Sequence, residues 1–289
     1  MMPFYGRPDH FRLAVESVLA QDSPDWRLTI IDDVYPDVEP GRWAAAIDDP
    51  RVRYIRNDEN LRPSRNYNKA IGIAEAPWLT IMGCDDLMSP RYVARVLELI
   101  ERFPDADLVQ PGVQVVDADG QPHLPLADRV KRSYVPRGGR PLLAAGEPLA
   151  TSLLRGNWTY FPSLVWRRER MGSGFRTDLD VVQDIAMIFG IVADGGALVI
   201  DDEPIFSYRR HARSLSATTG ADGTKFAQER VFFAEAAERA NALGWSRAAR
   251  AARWHLSSRL NALTELPGAL RPSAGAARRN LLRHAMGGL

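Results

Sequence analysis

Cysteine is almost absent from this chain. Cys84 is the only one in 289 residues, which excludes an internal disulfide framework and a cysteine-based zinc site. Lysine is nearly as scarce: of 37 basic residues only Lys69, Lys131 and Lys225 are lysines, a bias that genome composition explains as readily as function does. No sign of charge predominates. The formal net charge is +1, so the molecule as a whole carries no nucleic-acid signature. No apolar run is long enough to span a bilayer, and no signal-like segment opens the chain, so a cytoplasmic protein is the expectation. What remains is ordinary globular material, 45% apolar and 25% charged. It is enough for one large domain, or for a core with an appendage.

One stretch stands out. Trp78-Leu79-Thr80-Ile81-Met82-Gly83-Cys84-Asp85-Asp86 is an apolar run that ends in two adjacent carboxylates. The run reads as a buried strand, and Ser89-Pro90 just beyond signals the next helix. The acid pair therefore sits at the C-terminal end of a strand, where open α/β sheets place their ligand crevice. Neighbouring carboxylates repel and need a compensating cation; their oxygens suit Mg²⁺ or Mn²⁺, ions that commonly bridge protein to a substrate phosphate. An acidic turn that caps the following helix is the alternative.

Helix and strand signals alternate through the first 110 residues. An amphipathic helix with Phe11, Val15, Val18 and Leu19 on one face is followed by Leu28-Thr29-Ile30-Ile31, which ends in Asp32-Asp33. Val52-Arg53-Tyr54-Ile55 is a further strand; a helix starts near Pro63, another near Pro90, and Asp107-Leu108-Val109-Gln110 reads as the next strand. Such alternation predicts a parallel sheet covered by helices. After Gly112 the pattern predicts a hairpin around Asp117–Gly120, then a Pro/Gly/Arg-rich loop to about Gly146, a helix near Leu149, a strand-like aromatic stretch at 159–166, an apolar helix at 181–192 that Asp180 could cap, and two strands at 197–200 and 205–208. From Lys225 onward the sequence is helical and Ala-rich. Before the first helix the chain offers only Met1-Met2-Pro3-Phe4-Tyr5, with no strand signal where a doubly wound sheet needs a buried strand. The expectation is a native start upstream of Met1, or else an incomplete sheet.

Taken in order, these segments resemble the family 2 glycosyltransferases, inverting enzymes of the GT-A fold. The resemblance covers about residues 3–216. Pro3-Phe4-Tyr5-Gly6-Arg7 resembles the proline-aromatic turn after that family's first strand, and Ser17-Val18-Leu19-Ala20-Gln21 its first helix. The strand ending in Asp32-Asp33, the Asn60–Ala70 segment with Arg65-Asn66 inside, and the Asp85-Asp86 pair follow at matching intervals. The implied fold is α/β, a GT-A (Rossmann-like) and mostly parallel sheet flanked by helices, with a C-terminal helical appendage. The implied organisation is a nucleotide-sugar-binding half at 1–112, an acceptor and catalytic-base half at 113–216, and the appendage at 217–289.

The resemblance also implies roles. Pro3, Tyr5, Asp33, Arg65 and Asp85 would bind the nucleotide, Arg65 by offering its planar fork to the diphosphate. For Asp33 the alternative is a turn-capping acid, and for Arg65 a solvated helix residue. Asp86 would ligate Mn²⁺ or Mg²⁺, although Gly83 stands where many relatives have a further aspartate. Asp184, early in an otherwise apolar helix, resembles the catalytic aspartate, with Gln183 where Glu is common; favourable placement at a helix N-terminus is the alternative. Tyr208-Arg209-Arg210-His211 resembles the family's closing Tyr-Arg-x-His segment, so His211 would help ligate metal or touch phosphate, and Arg209 or Arg213 would neutralise the leaving group. Trp158 is the acceptor-stacking candidate.

The implied activity is inverting transfer from a nucleoside-diphosphate sugar to an acceptor hydroxyl on a glycan, a lipid-linked molecule or a small molecule, with no nucleic-acid partner. The alternatives are a non-catalytic sugar-nucleotide- or glycan-binding relative, prompted by Gly83 and the missing strand, and another Mg²⁺-dependent nucleotidyltransferase-like α/β enzyme. The tail from Phe226 to Leu289 carries ten Arg against four Glu, a net +6. Such a helical tail is expected to pack on the catalytic domain or on a second subunit; docking on anionic lipid, at the inner face of the membrane, is the alternative.

Overall fold

The computed structural model describes residues 1–210, 224–266 and 275–287. The elements run β1 (Met2–Phe4), α1 (Pro8–Leu19), β2 (Leu28–Asp32), α2 (Glu39–Ala45), β3 (Val52–Arg56), α3 (Arg62–Ile73), β4 (Trp78–Thr80), β5 (Leu87–Met88), α4 (Tyr92–Arg102), β6 (Leu108–Val116), α5 (Leu126–Tyr134), β7 (Leu142–Ala145), α6 (Gly146–Arg155), β8 (Val165–Arg167), α7 (Gln183–Ala193) and β9 (Ala197–Arg209). A helical tail follows: α8 (Thr224–Ala242), α9 (Ser246–Trp254), α10 (Leu256–Glu265) and α11 (Gly275–Ala285).

Strands β1, β2 and β3 form an all-parallel sheet, and β4-β8-β6-β9-β5 a mixed one, with β7 added to β9. Main-chain bonds of Met1 join the two: its amino group donates to the Thr80 carbonyl at 2.9 Å, and its carbonyl accepts from the Met82 N–H at 3.0 Å. The expectation of no strand before the first helix is therefore corrected. Met2 and Phe4 are fully buried, in parallel register with Ile30 and Asp32. A three-residue strand with proline at its centre carries almost no strand signal. It is tolerated because successive residues face opposite neighbours, and on the side that Pro3 shares with Met1 the described main-chain bonds end at Met82.

Alternation along the strands splits the core into two layers. Leu108, Trp166, Leu198 and Ile200 face α6, α7 and α8. Their neighbours Val109, Val165 and Val199 face α1 and α4 on the opposite side. Helix α4 shows why the sequence complies: Tyr92, Val96 and Leu99 recur on one face and are its buried residues,. Trp166 is fully buried and meets Phe161 and Phe175 edge-on. Replacing Trp166 with Ala is expected to cost about 3–5 kcal/mol of stability, read from urea denaturation.

Two further expectations change. The supposed loop before Gly146 contains α5 and β7. Helix α5 hides its signal by being turned inside out, with Asp128 fully buried while Leu126 and Val130 face solvent. The strand expected at 107–110 and the arm leading into the hairpin expected around Asp117–Gly120 are one bulged strand, β6, and the strands expected at 197–200 and 205–208 are one strand, β9. The expected boundary at 112 thus falls within β6, which belongs to both halves. Among the described residues, no helix is long and apolar enough to cross a membrane.

Candidate active site

The chain leaves β4, passes through Gly83, and presents Asp85 and Asp86 in a tight turn. Asp86 is buried, and one oxygen accepts the Arg209 N–H at 2.8 Å. Burial and the adjacent Asp85 charge push the Asp86 carboxyl well above its ordinary range,. Gly83 has a physical reason here: a Cβ would lie 2.5 Å from one oxygen of Asp86 and 3.1 Å from one of Asp85. The carboxylates fold back over the glycine, so a side chain at this position would make them shift.

The donor set fits a divalent cation only in part from the protein. Two hard oxygen donors share a buried, charge-frustrated turn, and no group of three or more His, Cys, Asp or Glu that could hold a metal occurs among the described residues. A cation held there takes its other ligands from water and substrate phosphate, the usual habit of Mg²⁺ and a role Mn²⁺ shares. His211 and Arg213 lie outside the described residues.

Arg209, expected to meet the leaving group, is buried. Its guanidinium binds main-chain carbonyls, with Nε donating to Asp85 O at 2.8 Å and one terminal nitrogen to Ala118 O at 2.9 Å and Asp117 O at 3.3 Å. It is a buried strap that holds the acid-pair turn against the turn after β6 through two of its three guanidinium nitrogens. Trp158 corrects an expectation. It is buried in the core, and its indole N–H donates to Ser152 Oγ at 2.8 Å, so no face is open for stacking on a sugar.

Asp184 lies half-buried in the first turn of α7, which opens on Gln183 and Asp184 and is otherwise apolar. Desolvation raises its pKa, against the opposing pull of the Ile185 N–H, Asn157 and Lys131. The cap residue is Val182, whereas Asp180, expected there, is bound by the Ser64 hydroxyl. Asn157 donates to Asp184 Oδ2 at 3.0 Å, and its own carbonyl oxygen accepts from the Thr159 hydroxyl at 2.6 Å and the Thr159 N–H at 3.2 Å. The amide therefore cannot flip without losing both bonds.

Asn157→Ala is expected to lower turnover about tenfold, less than the roughly 10²–10⁴-fold of a general base itself, because the carboxylate stays and only its orientation is lost. Removing a donor to the ionised form raises the Asp184 pKa further. Activity that needs ionised Asp184 then disappears at a higher pH on acidification, a shift measured as the acid limb of the kcat/KM profile.

Two tyrosines lie among these carboxylates. The charges of Asp85 and Asp184 both act on the half-buried Tyr67, and those of Asp86, Asp85 and Asp128 on Tyr208. Asp128 is clamped by Arg210, 2.7 Å away, and by the Tyr160 hydroxyl at 2.9 Å. One turn along α5, Lys131 lies between the charges of Asp128 and Asp184 with its amine 5.4 Å from the Tyr160 ring centroid; burial lowers its pKa to about 8. Sequence reading missed Asn157, Asp128, Lys131 and Arg210 as members of this constellation. The one available signal was a charged pair, Asp128 and Lys131, at helical spacing inside the supposed loop.

Of the residues expected to bind a nucleotide, Asp33 is buried and accepts from the chain at three points: Asn57 Nδ2 at 2.7 Å, Leu61 N–H at 2.8 Å and Arg62 N–H at 3.0 Å. These bonds shape the loop that starts α3. Asp32 is likewise internal, bound by the Tyr54 hydroxyl and Arg56, each at 2.6 Å. Pro3 lies in β1, Tyr5 is exposed at its end with its ring edge-on to Tyr35, and Arg65 is exposed on α3, 3.8 Å from Glu59.

Comparison with known proteins fits this geometry. The "Glycosyl transferase family 2" profile matches residues 1–167. The succinoglycan biosynthesis protein ExoO of Rhizobium meliloti (strain 1021) is 28% identical over 214 residues, 73% of this chain and 60% of the relative; the chain thus spans three fifths of that protein's length. The crystal structure of S. aureus TarS 1-349 in complex with UDP-GlcNAc superposes with a TM-score of 0.66 at 13% identity, covering 98% of this chain and 88% of that one. The mannosyltransferase PcManGT from Pyrobaculum calidifontis, in complex with GDP-Man and Mn²⁺, gives a TM-score of 0.61 at 14% identity, over 99% of this chain and 84% of that one. These likenesses establish the GT-A fold. With the profile spanning more than half its length, the chain belongs to glycosyl transferase family 2.

Proposed function

We propose that the protein transfers a sugar from a nucleoside-diphosphate sugar to an acceptor hydroxyl in one inverting displacement. The observation that carries this reading is the placement of Asp184: a carboxylate of raised pKa in the first turn of α7, held by an oriented amide, near enough to Tyr67 for its charge to act there together with that of Asp85. Asp184 accepts the proton of the acceptor hydroxyl as that oxygen attacks the anomeric carbon. The bond from that carbon to the diphosphate oxygen breaks on the opposite face, and its electron pair leaves with the nucleoside diphosphate. Asp85 and Asp86 would hold the Mn²⁺ or Mg²⁺ ion, whose chemistry there is neutralisation of the diphosphate charge. Arg65, exposed beside the loop that Asp33 shapes, meets the diphosphate, while Pro3 and Tyr5 border the base and ribose. PcManGT bound to GDP-Man and Mn²⁺ on the same fold supports the donor class and the ion.

The prompts for a non-catalytic relative lose their force, since Gly83 makes room for the carboxylates and the first strand is present. The test is a panel of sugar nucleotides with Mn²⁺ and mixed acceptors, following the released phosphate species. Nucleoside diphosphate supports glycosyl transfer; pyrophosphate points to nucleotidyl transfer instead.

A further inference from the structure

We propose that α10 docks on an anionic lipid surface through an outward apolar face. The tail helices do not all behave alike. Helix α8 buries Phe226, Phe232 and Phe233, and α9 buries Ala248, Ala249 and Ala252. Helix α10 is reversed: its buried residues are Ser258 and Ala262, while Leu256, Leu260 and Leu263 share one outward face at the spacing of a helical stripe,. Trp254, just before the helix, and Leu256 and Leu260 remain 55–61% exposed.

The helix cannot roll to hide these leucines. Ser258 Oγ is bound inside to the Glu229 carboxylate and, at 2.5 Å, to His284 Nε2. Rolling would bring that polar network out of register and leave buried groups without partners. The apolar face is thus fixed outward.

Charge selects the occupant. The sequence from Phe226 onward carries a net +6, and Arg250, Arg253, Arg278, Arg279 and Arg283 are exposed on the helices that flank α10 in the chain. A second copy meeting this face about a two-fold axis would set like-charged arginines against each other. An anionic bilayer instead takes arginines at its headgroups, Trp254 at the interface and the leucines at the acyl boundary.

The test is flotation of the full chain with vesicles of phosphatidylglycerol in phosphatidylcholine, against vesicles of phosphatidylcholine alone. The chain is expected to float with the anionic vesicles only, and less at raised salt. Combining Leu256→Ser, Leu260→Ser and Leu263→Ser is expected to lower partitioning about tenfold or more, with the unfolding midpoint and donor binding unchanged. Arg250→Gln with Arg253→Gln offers an independent route to the same loss. A chain that stays in the dense fraction with anionic vesicles overturns the proposal. So does a light-scattering result in which the leucine variant loses a concentration-dependent dimer, which assigns the face to a second copy.

Discussion

Asp184→Asn is expected to lower kcat about 10³-fold, within the range that a positioned general base supplies, while donor binding stays at the wild-type level. The substitution is nearly isosteric, and an asparagine carbonyl can still accept the bond from Asn157, so the fold and the nucleotide half are not asked to change. Two measurements separate the outcomes. Single-turnover transfer reads the chemistry, and donor-induced thermal shift reads binding without requiring an acceptor. Turnover within a few-fold of wild type removes Asp184 as the base. Loss of both turnover and donor binding means that the substitution has disturbed the site as a whole. The acid limb of the wild-type profile bears on the same point. Burial raises the Asp184 pKa, so activity falls on acidification at a pH above the usual aspartate range.

Asp86→Asn carries the second large effect, and its two parts point in opposite directions. The amide keeps an acceptor for the Arg209 N–H but removes one of two repelling charges from a buried turn, so without metal the variant is expected to unfold at or above the wild-type midpoint. With Mn²⁺ and a bound sugar nucleotide the order reverses. A donor at a hundred times its Kd stabilises wild type by about 2.7 kcal/mol, and the variant is expected to gain almost none of this. Thermal melts with and without ligand check both halves. A variant that still gains the full metal-dependent shift would show that Asp86 is not a ligand.

The sequence made legible whatever follows a simple period or a strand-end motif. The apolar run into Asp85-Asp86, the strand into Asp32-Asp33 and the helix bearing Asp184 were placed correctly because each couples a regular hydrophobic pattern to an abrupt polar stop. Elements that break the pattern for local reasons were missed: β1 is three residues long with a central proline, and α5 faces its charges inward and its Leu126 and Val130 outward. The site residues were harder. Arg209 reads as a free cation near a phosphate, and nothing along the chain says that two of its guanidinium nitrogens bind Asp85, Asp117 and Ala118. Trp158 looked like a sugar platform for the same reason: residue type suggests chemistry, whereas burial decides it.

The seam at Met1 has a kinetic consequence. The strand that carries Pro3 docks between β2 and the end of β4, and the bond from Met1 to Thr80 that closes it spans 79 positions of sequence. Loop closure over such distances is slow compared with pairing of neighbours, so β2 and β3 are expected to pair before the two sheets fuse. Among the described residues the main-chain bonds of Met1 join the two sheets, so breaking them reports separation of the sheets. The opening free energy of this seam is readable as native-state hydrogen exchange at the Met82 amide, compared with amides in the middle of β2.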